Sequence, residues 1–112
     1  MNEISLSKDA DKMICVIYKD YLEKRKNGAS KSEAKDFRDF PDRSGELFPK
    51  WNHSDIMDTF REVSKAFGIK MDIIGGFELN DAAIIYMENR FPDGLKQVLE
   101  TLGAIKGIIP FI

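Results

Sequence analysis

The chain has 112 residues, 43% of them apolar and 32% charged, with a formal net charge of −2. That length admits one domain and excludes two with independent cores, and the charge balance is unlike the strongly basic footprint of many nucleic-acid binders, although local patches can differ from the average. A single cysteine, Cys15, excludes an internal disulfide, and no run approaches the roughly 18 to 20 apolar residues of a membrane span. The segment Met1 to Lys8 lacks the basic and apolar regions of a signal peptide, so a cytoplasmic location with no membrane contact is the expectation.

Ser7 reads as the N-cap of a first helix over 8–26. Ala10, Met13, Ile14, Ile17 and Tyr21 recur at helical spacing, and Val16, Tyr18 and Leu22 widen the stripe. Asn27-Gly28 ends this helix, with Lys24-Arg25-Lys26 where cations suit the helix dipole. Cys15 lies in the apolar stretch and reads as a buried structural thiol. Ser30-Lys-Ser-Glu33 is a capping-box pattern opening a second helix over 31–39, which Pro41 stops. Residues 41–51 read as a loop by composition, with Leu47, Phe48 and Trp51 tucked back onto the core.

Asn52 is a good N-cap for a third predicted helix over 53–67, with Trp51 and Ile56 as a candidate hydrophobic staple. Ile56, Phe60, Val63 and Phe67 form its apolar stripe, and Gly68 supplies the stop. Residues 69–79 then alternate as a hairpin, with Gly75-Gly76 as a two-residue turn and Phe77-Glu-Leu79 returning. Asn80 caps a fourth predicted helix over 80–90. A fifth, over 94–108, carries Leu95, Val98, Leu99, Leu102 and Ile105 on one stripe, followed by the apolar tail Ile108 to Ile112.

The expected fold class is mostly α with a small β-hairpin wing: residues 1–91 as a winged-helix-like domain and 92–112 as an added amphipathic C-terminal helix of the same structural unit. The run Phe77-Glu-Leu-Asn-Asp-Ala-Ala-Ile-Ile-Tyr-Met-Glu-Asn-Arg-Phe91 resembles the return strand and following helix of small bacterial winged-helix proteins. The segment Ile17 to Lys31 looks like the start of uncharacterised short proteins of Gram-positive bacteria and their mobile elements. The resemblance covers most of the chain and implies a fold without an activity. One departure is visible: the second and third predicted helices are separated by about a dozen residues, where a helix-turn-helix has a turn of roughly three to four.

No enzymatic constellation is present in the sequence. His53 is the only histidine and sits at a helix start without a nucleophile or metal-ligand pattern around it. Gly75-Gly76 lacks the Lys-Ser/Thr and the helix opening that a phosphate cradle needs. Asp55, Asp58 and Glu62 read as a solvated helix face. The expectation is therefore a non-enzymatic binding protein with no cofactor and no metal.

Two partner classes stand open. The first, and the leading expectation, is a winged-helix DNA-binding regulator. Lys24, Arg25, Lys26, Lys31, Lys35 and Arg38 would meet phosphate, and Arg61 and Lys65 would lie on the reading helix. The second is a protein–protein interaction module, an adaptor or inhibitor, whose acidic third predicted helix meets a basic partner. Either is expected to be a homodimer through the C-terminal helix, with Leu95, Val98, Leu99, Leu102 and Ile105 forming a buried seam made in part with a second chain.

Overall fold

Ser7 opens the first helix as expected, its hydroxyl accepting from the Ala10 N–H, and α1 runs Lys8–Lys26. The computed structural model describes residues 4–104. After α1 come α2 (Lys31–Ala34), β1 (Asp36–Phe37), α3 (Phe40–Leu47), α4 (His53–Phe67), β2 (Phe77–Glu78), α5 (Asp81–Arg90) and α6 (Leu95–Ala104). The chain is thus mostly helical, with a small two-stranded antiparallel sheet.

Capping chemistry decides most of the helix boundaries. Ser30 and Glu33 form the capping box of α2. Asn52 accepts from the Asp55 N–H at the start of α4, and Gly68 ends that helix at φ 69°. Asn80 accepts from the Ala83 N–H and opens α5. Each of these side chains satisfies an N–H that the helix cannot.

α1 is the central element. It packs against α2, α4, α5 and α6, and from Met13 to Tyr18 every residue is buried. A helical stretch apolar on all sides belongs in the interior, so between Met13 and Tyr18 what reads as a widened stripe is a segment covered all round. Burial pushes the Cys15 thiol up to about 12 (the Arg90 charge opposes this weakly), which keeps the thiol protonated at neutral pH.

The structure departs from the sequence reading between residues 35 and 52. The second helix ends at Ala34, and Asp36–Phe37 is strand instead of helix. Its partner is β2, in the register Asp36↔Glu78 and Phe37↔Phe77. The Phe37 and Phe77 rings stack with centroids 5.0 Å apart, so cross-strand packing outweighs local helix preference. Pro41 starts a helix rather than ending one. It occupies the first turn of α3, where its missing N–H has no partner to lose. The segment expected to be a loop therefore contains α3, and only residues 48–52 link α3 to α4. Phe48 is fully buried, and Leu47 and Trp51 pack against the core, as expected.

Phe77 ties these parts together. Beyond its stack on Phe37, its ring lies 4.6 Å from that of Phe60 and 5.2 Å from that of Phe40. One aromatic cluster thus joins β1, α3, α4 and β2. On the other side of β2, Met71 forms an isolated antiparallel bridge to Phe77. The segment 69–79 does fold back on itself, but its return strand lies between β1 and Met71.

α6 lies against α1, with Val98 and Leu102 buried in the chain's own core. Leu99, in contrast, is 45% exposed. Ile105 and the end of the fifth predicted helix, together with the tail to Ile112, lie outside the described residues.

Candidate interaction surface

The turn between Met71 and Phe77 is built by Asp72. Its Oδ1 accepts three backbone N–H groups, those of Ile74, Gly75 and Gly76, each at 2.9 Å. The Gly75 N–H also donates to the Asp72 carbonyl at 3.0 Å, and the Asp72 N–H donates to the Gly76 carbonyl at 2.7 Å. Gly75 has φ +104°. This is a three-residue hairpin loop, with Asp opening the turn and glycine taking the positive φ. The loop residues are 73–75, not the 75–76 expected. Ile73 and Ile74 consequently leave the strand and stand at the tip, 102% and 79% exposed.

The tip is braced from behind. A Cβ on Gly76 would lie 2.6 Å from the Arg38 Cα, so the two backbones touch there. Gly75 approaches the Pro41 ring in the same way, at 3.2 Å for a Cβ. Beside the tip lies an open cleft of about 540 Å³, whose charged lining is Glu33, Asp36, Asp72 and Glu78 against Arg38 and Lys70. Arg38 is itself forked onto Asp36, its Nη2 donating at 2.7 Å and its Nε at 3.1 Å. Those hydrogen bonds hold the Asp36 carboxyl below the usual carboxylate range. The surface next to the isoleucines is acidic.

The expected phosphate-contacting residues do not form one free basic band. Lys24 lies 3.4 Å from Asp20, donates to the Asp36 carbonyl at 3.1 Å and sits over the Phe37 ring. Lys35 donates to Asp81 at 3.0 Å, and that hydrogen bond raises the lysine's affinity for its proton. Arg38 is taken by Asp36, and Arg61 by Asp58 at 2.9 Å. Arg25 donates to the Ala29 carbonyl, while Lys26, Lys31 and Lys65 are exposed. On α4, Asp55 and Asp58 face solvent, but Glu62 does not stand free. It accepts from both the N–H and the hydroxyl of Ser7, at 2.8 and 2.7 Å, which holds its carboxyl below the usual range.

Of the seam residues on α6, Val98 and Leu102 are occupied within the chain, and Leu99 is the exposed remainder beside half-buried Leu95. His53 is exposed at the first turn of α4. Among the described residues no group of three His, Cys, Asp or Glu is placed to hold a metal ion, and no helix is long and apolar enough to cross a membrane.

Ile73 and Ile74 were not singled out by sequence reasoning. A signal for them exists in Asp72-Ile-Ile-Gly75, the Asp-x-x-Gly spacing of a type I turn, which places both isoleucines at the corner. Comparison with known proteins gives no match to a family model, to a curated protein or to a solved structure.

Proposed function

We propose that the chain is a non-enzymatic protein-interaction module of winged-helix type. In support, α3 and α4 follow one another in the order of a helix-turn-helix pair, and the link between them, residues 48–52, is close to the usual turn length. The braced turn at 72–76 follows α4 as a wing, and its return strand pairs back to β1. The long separation between the second and third predicted helices ceases to be an objection, because it holds α3.

The observation that carries the choice of partner is ion pairing. Lys24, Lys35, Arg38 and Arg61 each have a carboxylate of the same chain within 3.4 Å. A phosphate would have to displace those carboxylates, and the potential a nucleic acid meets is correspondingly weak. The exposed side of α4 offers Asp55 and Asp58 where a reading helix needs donors to base edges. The wing tip presents two isoleucines and no cation. Together these favour a protein partner with basic character.

A second reading, a DNA-binding regulator, rests on Arg25, Lys26, Lys31 and Lys65, which have no carboxylate within ion-pair distance among the described residues. The two separate in a pull-down from host lysate with and without nuclease. Partners that survive nuclease support the protein module. Partners that all vanish with nuclease support the regulator.

A further inference from the structure

We propose that Ile73 and Ile74 form a preorganised apolar knob that enters an apolar pocket on a protein partner, with a basic rim on that pocket facing the acidic cleft beside the tip. This rests on the protein-interaction reading above and names the site and the chemistry of its partner.

Three observations carry it. The first is exposure: two contiguous β-branched residues stand at a loop tip, 102% and 79% exposed. Single exposed apolar residues are ordinary, but turn corners are usually polar or glycine, and nothing in the turn's hydrogen bonding calls for isoleucine. The second is rigidity. Three N–H groups converge on Asp72 Oδ1, and Gly76 lies against the Arg38 backbone, so the tip is fixed before anything docks. A fixed knob with stiff side chains loses little conformational freedom on binding, which is the condition under which a small apolar contact becomes a strong one. The third is charge. Glu33, Asp72 and Glu78 flank the cleft, while Arg38 is held by Asp36, leaving Lys70 as the one cation there without a carboxylate partner among the described residues. That surround repels anionic lipid and phosphate and attracts lysine and arginine.

The test uses the full chain with benzoylphenylalanine at position 73, irradiated in nuclease-treated host lysate, with unlabelled full chain as competitor. The expected result is a discrete protein adduct whose cross-linked segment borders lysine or arginine. Wild-type chain suppresses it. An Ile73→Ser/Ile74→Ser competitor is about 30-fold less effective, as for loss of a binding hot spot, and an Ile73→Val/Ile74→Val competitor stays within about threefold. Glu78→Lys weakens competition several-fold. Both isoleucines are exposed, so the Ser variant unfolds at the wild-type temperature, and a loss of competition reports binding.

Equal competition by the Ser variant overturns the knob. So does an adduct with a second copy of the chain, or co-sedimentation of the wild type with phosphatidylcholine–phosphatidylserine vesicles that the Ser variant loses. If nuclease-resistant partners are captured equally well by the Ser variant, the interaction module stands and the knob falls. If neither chain captures a protein, both fall.

Discussion

Gly76 and Arg38 pass backbone against backbone: a Cβ on Gly76 would sit 2.6 Å from the Arg38 Cα and 2.7 Å from its carbonyl oxygen. The contact fixes the 72–76 turn to the link between β1 and α3. Backbone cannot swing aside as a flexible side chain can. Gly76→Ala is therefore expected to destabilise the fold by about 1–3 kcal/mol, the range for overpacking a filled space. Gly45, inside α3, has open space around it and an ordinary φ, so Gly45→Ala is expected to stabilise by about 0.5–1 kcal/mol. Urea unfolding of the two variants beside the wild type checks the contrast.

Asp72 is the second support of the tip. Asp72→Ala removes the acceptor of three N–H groups, and a loss of about 1–2 kcal/mol is expected, comparable with a lost helix cap. Asp72→Asn keeps an acceptor oxygen and is expected to lose less than half as much. Amide hydrogen exchange at Ile74, Gly75 and Gly76 should accelerate in the Ala variant before the rest of the chain responds.

These details show why the 69–79 hairpin was legible only in part. Helix ends that rest on one capping side chain, such as Ser7, Ser30, Asn52 and Asn80, can be read from local residue types, because the cap and the N–H it satisfies are three residues apart. β1 cannot be read that way. Phe37 is extended because Phe77, forty positions later, stacks on it, and no local pattern carries that information. Pro41 is ambiguous by nature, since the same missing N–H ends one helix and suits the first turn of another. The alternation Ile69, Met71, Ile73 imitates a strand past its real end, so the Asp72 turn was hidden and the isoleucine tip with it. The basic cluster was visible as residues and only in part as ion pairs: Asp58–Arg61 and Asp20–Lys24 stand at helical spacing and Asp36 is two residues from Arg38, whereas Lys35 meets Asp81 only through the tertiary fold.

Asp20 and Arg43 give a pH-dependent prediction. Arg43 donates to both Asp20 oxygens, at 2.8 and 3.1 Å, from α3 to α1. Burial alone would raise the Asp20 pKa, but the Arg43 hydrogen bonds and charge, helped by Lys24, hold it below the ordinary value. A carboxyl depressed in the folded state adds stability that is present above its unfolded pKa of about 3.9 and is lost as pH falls through the folded value. Asp20→Asn is expected to lose about 2 kcal/mol at pH 7 and to show a shallower fall in stability below pH 4 than the wild type. Urea midpoints from pH 7 down to pH 2 provide the measurement.

The two sides of α6 should respond differently. Leu102 is buried, so Leu102→Ala is expected to cost about 2–4 kcal/mol. Leu99 is 45% exposed, and Leu99→Ala is expected to cost less than about 1 kcal/mol. Equal large losses at both positions in dilute solution would mean that Leu99 is covered by another chain, and a concentration-dependent mass in light scattering would follow.

The central proposal is that Lys24, Lys35, Arg38 and Arg61 are committed to the chain's own carboxylates and that a protein, not a nucleic acid, is its partner. Titration of a labelled mixed-sequence DNA duplex, followed by fluorescence anisotropy at 50 and 150 mM salt, tests it most directly. The expected result is no binding tighter than about 100 µM at 150 mM salt, the weak edge of non-specific association. Charge reversal at Lys31, Lys35 and Arg38 should then change nothing. Binding at or below about 1 µM that falls steeply with salt and is lost on that reversal would contradict the claim and restore the nucleic-acid reading.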